Sequence, residues 1–144
     1  MSDLYLIAVL AGVEVAISSD CIESVVTIGD VVAVPKCDPL VAGLMALRSR
    51  VLTLIDCQYA ITGESRCASA YSHAVIVDVS GHSYALAVDA VRDVVSVAPD
   101  AIRSAMRLDR RWSKLSNETA EIDDRILIIL SPEMLLMPAK ALAA

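Results

Sequence analysis

Residues 6–26 read LIAVLAGVEVAISSDCIESVV, and residues 75–95 read VIVDVSGHSYALAVDAVRDVV. When Leu6 is placed on Val75, the two stretches align without a gap, and most aliphatic residues fall on aliphatic residues. Gly12 falls on Gly81, and Asp20 falls on Asp89. Chance matching of aliphatic positions explains the pattern less well than duplication does, because glycine and aspartate match too. The chain therefore reads as a repeated unit of about 70 residues.

A second match supports the repeat and bounds the domain. It places Arg50–Ile55 on Arg125–Leu130. A chain of 144 residues is long enough for one domain. We therefore expect a single domain over residues 1–144, with one barrel in residues 1–70 and a second in residues 71–144. The alternative, which the sequence leaves open, is that the first strand is exchanged between the barrels.

Each half contains short runs of β-branched and aliphatic residues bounded by turn residues, a pattern typical of β-strands. The Ala11-Gly12 step predicts a tight hairpin, and Ser131 followed by Pro132 predicts a short helix through Leu136. Because strands that close on themselves bury one face and hide their edges, we expect an all-β fold of two small barrels. The predicted strands are Leu4–Leu10, Val13–Ser18, Ile22–Ile28, Leu44–Arg48, Val51–Asp56, Ala74–Val79, Tyr84–Val88, Val91–Val97 and Arg125–Leu130.

Composition and charge exclude several classes of function. A formal charge of −6 is a poor match for nucleic acid or an anionic membrane. The apolar run Leu4–Val13 ends at Glu14, far short of the roughly 20 residues that span a bilayer. The first three residues supply no positive charge for a secretory signal, so we expect a cytoplasmic protein without membrane insertion. The four cysteines, which lack CxxC spacing, predict neither a metal site nor a disulfide; they are Cys21, Cys37, Cys57 and Cys67.

No motif predicts catalysis or a cofactor. The chain lacks the nucleophile elbow, the HExxH zinc motif, the P-loop and the dinucleotide fingerprint. His73 and His82 are interpreted as strand-edge residues rather than catalytic bases, and Cys57 as a structural thiol. Asp123-Asp124 reads as a turn rather than as a pair of catalytic carboxylates, because adjacent strand residues point to opposite faces.

The segment from Ile102 to Leu115 interrupts the repeat. Its basic residues recur at helical spacing, and they are Arg103, Arg107, Arg110, Arg111 and Lys114. We interpret the segment as a solvated linker helix. The alternative is a basic face that docks an acidic partner.

Gly43–Arg48 followed by Val51–Asp56 resembles the G-x-x-N-L-R-G-x-x-x-P-x-x-D stretch of CheW-like domains. Leu86–Val91 is similar to the V-D-x-V strand pair of that family, and Asp124–Leu130 to its closing strand. The resemblance runs from about Leu4 to Leu136, and the order and spacing of the motifs carry it.

This resemblance implies two five-stranded barrels, no catalytic activity, and an adaptor that couples chemoreceptors, the methyl-accepting chemotaxis proteins, to the histidine kinase CheA. The implied partners are the regulatory domain of the kinase, which is itself CheW-like, and the cytoplasmic tip of the receptor, which lies against the groove between the barrels. Carried over by position, the protein-binding residues are Ile22, Ser24, Gly43, Arg48, Ala85 and Val94.

Arg48 is the most informative of these positions. It precedes the predicted Ser49-Arg50 turn, so its planar guanidinium should emerge at a barrel rim and bind the receptor tip. Gly43 would let a receptor helix approach closely. A structural ion pair within the hairpin is the alternative role for Arg48.

Departures from the family pattern leave other functions open. Ser24 stands where the family has Glu, and Ala46 and Ser49 stand where it has Asn and Gly. A divergent adaptor of a non-motility signalling array is therefore one alternative. A small-ligand-binding barrel, or an enzyme that uses Arg48 with an acidic residue, is the alternative from another class, although few aromatic residues are present to line a cleft.

Overall fold

The structure, a computed structural model, describes residues 3–32, 40–64, 72–104, 112, 116 and 118–136. In these ranges the chain is mostly strand, as predicted, with short helices α1 (Cys57–Thr62) and α2 (residues 132–136). The strands are β1 (Asp3–Leu10), β2 (Val13–Ser18), β3 (Ile22–Thr27), β4 (Val31–Val32), β5 (Val41–Leu47), β6 (Arg50–Asp56), β7 (His73–Val79), β8 (His82–Val88), β9 (Ala90–Val97), β10 (Ile102–Ser104), β11 (Glu118–Ile122) and β12 (Arg125–Ile129).

The strands form two sheets of six. Sheet 1 has the order β10-β11-β12-β2-β1-β9, and sheet 2 the order β3-β7-β8-β6-β5-β4. Neither sheet closes into a barrel, so the expected pair of closed five-stranded barrels is corrected to two open six-stranded sheets. At one end of each sheet the terminal strand is short, two residues in β4 and three in β10.

The strand register confirms the internal repeat. Leu6 lies opposite Val94 in sheet 1, and Val75 lies opposite Val25 in sheet 2, which is the same pairing under the alignment that places Leu6 on Val75. The parallel pairings of β12 with β2 and of β6 with β8 correspond in the same way. Each sheet is therefore the structural equivalent of the other.

The two sheets do not coincide with the two halves of the sequence. Sheet 1 combines β1 and β2 with β9–β12, and sheet 2 combines β7 and β8 with β3–β6. This differs from the expectation of one barrel each in residues 1–70 and 71–144. The difference arises because each opening hairpin pairs with strands of the other repeat, β1 with β9 and β7 with β3.

Three apolar cores hold the molecule together. Tyr5 and Ile7 on β1 point into the core of sheet 1, whereas Leu6 and Ala8 point into a central core between the sheets. Because β1 is buried on both faces, its sequence is nearly continuous in apolar residues. The central core takes side chains from both sheets, among them Leu10, Val15, Ile17, Val75, Val77, Val79, Leu86 and Val88, together with Trp112. A smaller core of Met45, Leu52, Leu54, Ala74, Ile76, Ala85 and Ala87 fills sheet 2.

The predicted turn and helix boundaries are confirmed at three points. Ala11 and Gly12 have φ of 50° and 78° in the first hairpin, and Asp123 and Asp124 have φ of 49° and 64° in the last. Helix α2 begins where predicted, because the Ser131 hydroxyl accepts a hydrogen bond from the backbone of the first turn at 3.3 Å.

The Arg-rich segment is not helical at its start. Residues Ile102–Ser104 form strand β10, which pairs with β11, so the helix predicted from Ile102 is wrong there. Trp112 is buried in the central core. Residues 105–111 and 113–115 lie outside the described residues. None of the described helices has the length and apolar character needed to cross a membrane.

Candidate functional site

Arg48 lies at the tip of the β5–β6 hairpin. The turn is formed by Arg48 and Ser49, one residue earlier than predicted, and Leu47 pairs with Arg50 to close it. The side chain of Arg48 is exposed, and its backbone has a φ of 57°, a conformation that non-glycine residues rarely adopt. No described residue forms an ion pair with Arg48, so the described part of the chain does not support the structural alternative for this residue.

The ion pair of this hairpin is made by Arg50 instead. Its Nη2 donates to Oε2 of Glu23 at 2.6 Å, and this hydrogen bond, followed by the carboxylate charge, raises the pKa of Arg50. Glu23 lies in a β-bulge between Ile22 and Ser24, and its strand is separated from β6 by β7 and β8. Because two strands separate Glu23 from Arg50, sheet 2 must curve for the pair to form. This curvature brings Ile22 and Ser24 toward the hairpin. The pair cannot be read from the sequence, because its two residues are 27 positions apart in the chain.

Gly43 has a structural explanation. A Cβ atom at this position would lie 2.6 Å from the carbonyl oxygen of Val32 and 2.7 Å from Cγ1 of Val31. The space above Gly43 is thus filled by β4 of the same chain. The expectation that Gly43 leaves room for a receptor helix is wrong for this reason.

The other predicted residues lie in different environments. Ala85 is fully buried in the core of sheet 2 between Leu54 and Ile76. It therefore has no surface that a partner could contact, and its prediction as a protein-binding residue is wrong. Val94 is 53% exposed on β9, an end strand of sheet 1. Leu4, on the neighbouring strand, is 51% exposed on the same face. We call Leu4 and Val94 the β9 surface.

The outward face of β4, β5 and β6 is apolar beside Arg48. Val32 and Val51 are 66% and 68% exposed. Val32 lies opposite Leu44, and Val51 lies opposite the exposed Ala46. We call Val32, Leu44, Ala46, Val51 and Arg48 together the hairpin surface. The sequence indicated only Arg48 among its members.

The equivalent face of sheet 1 is largely polar. The register places Arg103 where sheet 2 has Val32, Thr119 where it has Leu44, and Glu121 where it has Ala46. Only Ile126, at the position of Val51, keeps an exposed aliphatic side chain. The fold therefore does not require an apolar face at this place, and the hairpin surface is a feature of this sheet alone.

Catalytic and metal-binding chemistry finds little support among the described side chains. Burial, followed by the charges of Asp56 and Asp89, raises the pKa of the Cys57 thiol, which keeps it protonated and unreactive. His82 is exposed, and His73 contacts the hydroxyl of Ser72 at 3.0 Å. In the described ranges, no three His, Cys, Asp or Glu side chains are grouped so that they could hold a metal ion.

Comparison with known proteins assigns the chain to a family. Residues 4–139 match the model of the CheW-like domain, which is nearly the whole chain. Among solved structures, the scaffolding protein TtCheW from Thermoanaerobacter tengcongensis is similar, with a TM-score of 0.84 and 22% identity over 94% of this chain and 93% of that chain. At that identity the likeness shows the fold. No curated protein matches the chain. With the family model matched from the first strand to beyond helix α2, the chain belongs to the CheW-like domain family.

Proposed function

We propose that this protein is a non-catalytic cytoplasmic adaptor that couples chemoreceptors to a CheA-type histidine kinase. The observation that carries the proposal is the hairpin surface, where exposed aliphatic side chains lie beside an arginine without a described ion-pair partner. Exposed apolar patches of this kind typically mark protein interaction sites. Membership of the CheW-like family supports a scaffold rather than an enzyme.

The hairpin surface suits the helical tip of a receptor. A helix buries an apolar stripe on a partner surface, and Val32, Ala46 and Val51 offer such a surface. Arg48 at its rim supplies a planar fork that can bind two carboxylate or carbonyl oxygens of the helix. Ile22 and Ser24, which the Glu23–Arg50 pair brings toward the hairpin, extend the contact.

An adaptor needs a second surface that is free when the first is occupied. The β9 surface, Leu4 and Val94, belongs to the other sheet and is exposed. We assign it to the regulatory domain of the kinase. Two surfaces on two different sheets allow both partners to bind the same molecule at once.

The Arg48→Ala substitution tests the receptor surface. We expect receptor affinity to fall by about 2 kcal/mol, or roughly thirty-fold, as is typical of an arginine hot spot. The melting temperature should hardly change, because the side chain is exposed and has no described ion pair. Arg103→Ala is the matched control, since it removes an exposed arginine from the polar face of sheet 1.

Isothermal titration with a purified receptor signalling-tip fragment measures the affinity, and kinase binding is measured in parallel. The proposal predicts that Arg48→Ala weakens only receptor binding and that Val94→Asp weakens only kinase binding. If Arg48→Ala lowers the melting temperature markedly and leaves receptor binding intact, Arg48 is structural and the receptor assignment fails.

A further inference from the structure

The two sheets have equivalent β-bulges on their end strands, and the two bulges carry opposite charges. In sheet 2 the register shifts between Ile22 and Ser24, which leaves Glu23 as the extra residue. In sheet 1 the register shifts where Asp93 lies opposite Ile7 and Val91 lies opposite Ala8, which leaves Arg92 as the extra residue. The alignment of the two repeats places Glu23 on Arg92.

The partner of the bulge residue is equivalent as well. Arg50 begins β6, and the second sequence match places it on Arg125, which begins β12. Sheet 2 therefore carries a glutamate and an arginine at these two positions, bonded at 2.6 Å, whereas sheet 1 carries two arginines, Arg92 and Arg125.

The two arginines of sheet 1 cannot neutralise each other. Nη1 of Arg125 donates to Oε1 of Glu14 on the adjacent strand at 3.0 Å, and the Arg125 side chain is 54% exposed. Arg92 is exposed and has no described ion-pair partner. Of the two arginines, Arg92 is therefore the one that lacks a described carboxylate, whereas Arg125 already contacts Glu14.

We infer that a carboxylate of the kinase binds between Arg92 and Arg125, in the place that Glu23 occupies in sheet 2. The inference rests on the proposed function, because the kinase is assigned to the β9 surface, and Val94 lies two residues from Arg92 on the same strand. The site therefore fits an Asp or Glu side chain, whose charge selects the partner more than it strengthens binding.

Arg92→Glu tests the inference, because it supplies the missing carboxylate within the chain. The new side chain should bind Arg125 as Glu23 binds Arg50, which fills the site. We expect affinity for the purified regulatory domain of the CheA-type kinase to fall at least about ten-fold, because a like charge then faces the kinase carboxylate. The melting temperature should not fall. Arg92→Lys should stay within about three-fold of the original affinity, since it keeps the charge.

Arg103→Glu is the matched control, because it makes the same charge change at an exposed arginine on the opposite end of sheet 1. Titrations at several salt concentrations measure how the dissociation constant for the kinase domain depends on salt, which would not change if Arg92 had only a structural role. The salt dependence of the dissociation constant should weaken in Arg92→Glu and stay unchanged in Arg103→Glu.

The outcomes separate this inference from the proposed function. If Arg92→Glu binds the kinase domain as tightly as the original protein while Val94→Asp does not, the carboxylate site is refuted and the β9 surface stands. If both variants bind like the original, both are refuted. If Arg103→Glu weakens binding as much as Arg92→Glu, the effect is one of net charge and the site is refuted.

Discussion

The substitution Gly43→Ala separates a structural glycine from one that binds a partner. A methyl group there would approach the Val32 carbonyl oxygen to 2.6 Å and Val31 Cγ1 to 2.7 Å, so the backbone of β4 must move. A φ of 154° adds strain, since only glycine adopts such a backbone readily. That strain is worth about 1–3 kcal/mol, and overpacking adds roughly 1–3 kcal/mol. We expect a loss of about 2–6 kcal/mol in the free energy of unfolding, a large share of a typical domain's stability.

Urea unfolding, followed by the fluorescence of the single tryptophan, Trp112 in the central core, measures this loss. Gly12→Ala is the matched control, because Gly12 has a φ of 78° but no atom within 4 Å of an added Cβ. This variant should lose only the stability that the strained backbone costs, about 1–2 kcal/mol. Gly29 has no positive φ and no atom within 4 Å of an added Cβ, so Gly29→Ala should leave the free energy of unfolding nearly unchanged. The reasoning fails if Gly43→Ala loses no more stability than Gly12→Ala.

Four further outcomes follow from the structure. Burial keeps Cys57 protonated in the folded protein, so the free energy of unfolding should be constant below the ordinary thiol pKa of 9.0 and should fall above it, by at most about 1.4 kcal/mol per pH unit. Urea titrations at pH 8–11 measure this fall, and Cys57→Ala should reduce it. Glu23→Gln should lower the urea midpoint slightly, and 1 M salt should abolish the difference from the original protein. Intact mass with and without reductant should be identical if, as predicted, the chain forms no disulfide; Cys21 and Cys57, the cysteines among the described residues, are free. Calorimetry should show one transition, since the central core joins both sheets, whereas two separated transitions would contradict it.

Most of the secondary structure was predictable from the sequence, because strand periodicity is visible within short stretches and the duplication is visible when the two halves are aligned. The match of residues 6–26 with residues 75–95 anticipated equivalent hairpins, and the strand register confirms them. The Ala11-Gly12 turn and the start of α2 at Ser131 were predictable because backbone chemistry decides them.

What the sequence could not predict depends on contacts between distant parts of the chain. The exchange of opening hairpins between the repeats leaves no trace in the pattern, since an apolar strand suits either sheet. Ala85 shows the same limit, because a small residue within an apolar run can lie inside or outside, and here it is fully buried. The Glu23–Arg50 pair depends on a bulge and on sheet curvature, neither of which the spacing of the residues reveals.

Duplication gives an adaptor two equivalent surfaces, although its task requires two different ones. Inside the molecule the repeats stay alike, because both sheets need apolar side chains: Leu6 and its equivalent Val75 both lie in the central core. On the molecular surface, packing does not restrict the side chains in this way, and the two repeats differ in charge. Ala46 corresponds to Glu121, and Glu23 corresponds to Arg92.

For the partners proposed above, these outward differences decide which one each sheet can accept. A partner with a bare apolar helix face would bury the outward face of sheet 2, but on sheet 1 it would leave the charge of Glu121 without water or a counterion. A partner that presents a carboxylate gains from the exposed Arg92 of sheet 1, whereas in sheet 2 the Glu23–Arg50 pair already fills that place. Under the proposed function, each surface would thus reject the partner of the other, through a few exposed side chains that contribute little to the stability of the fold.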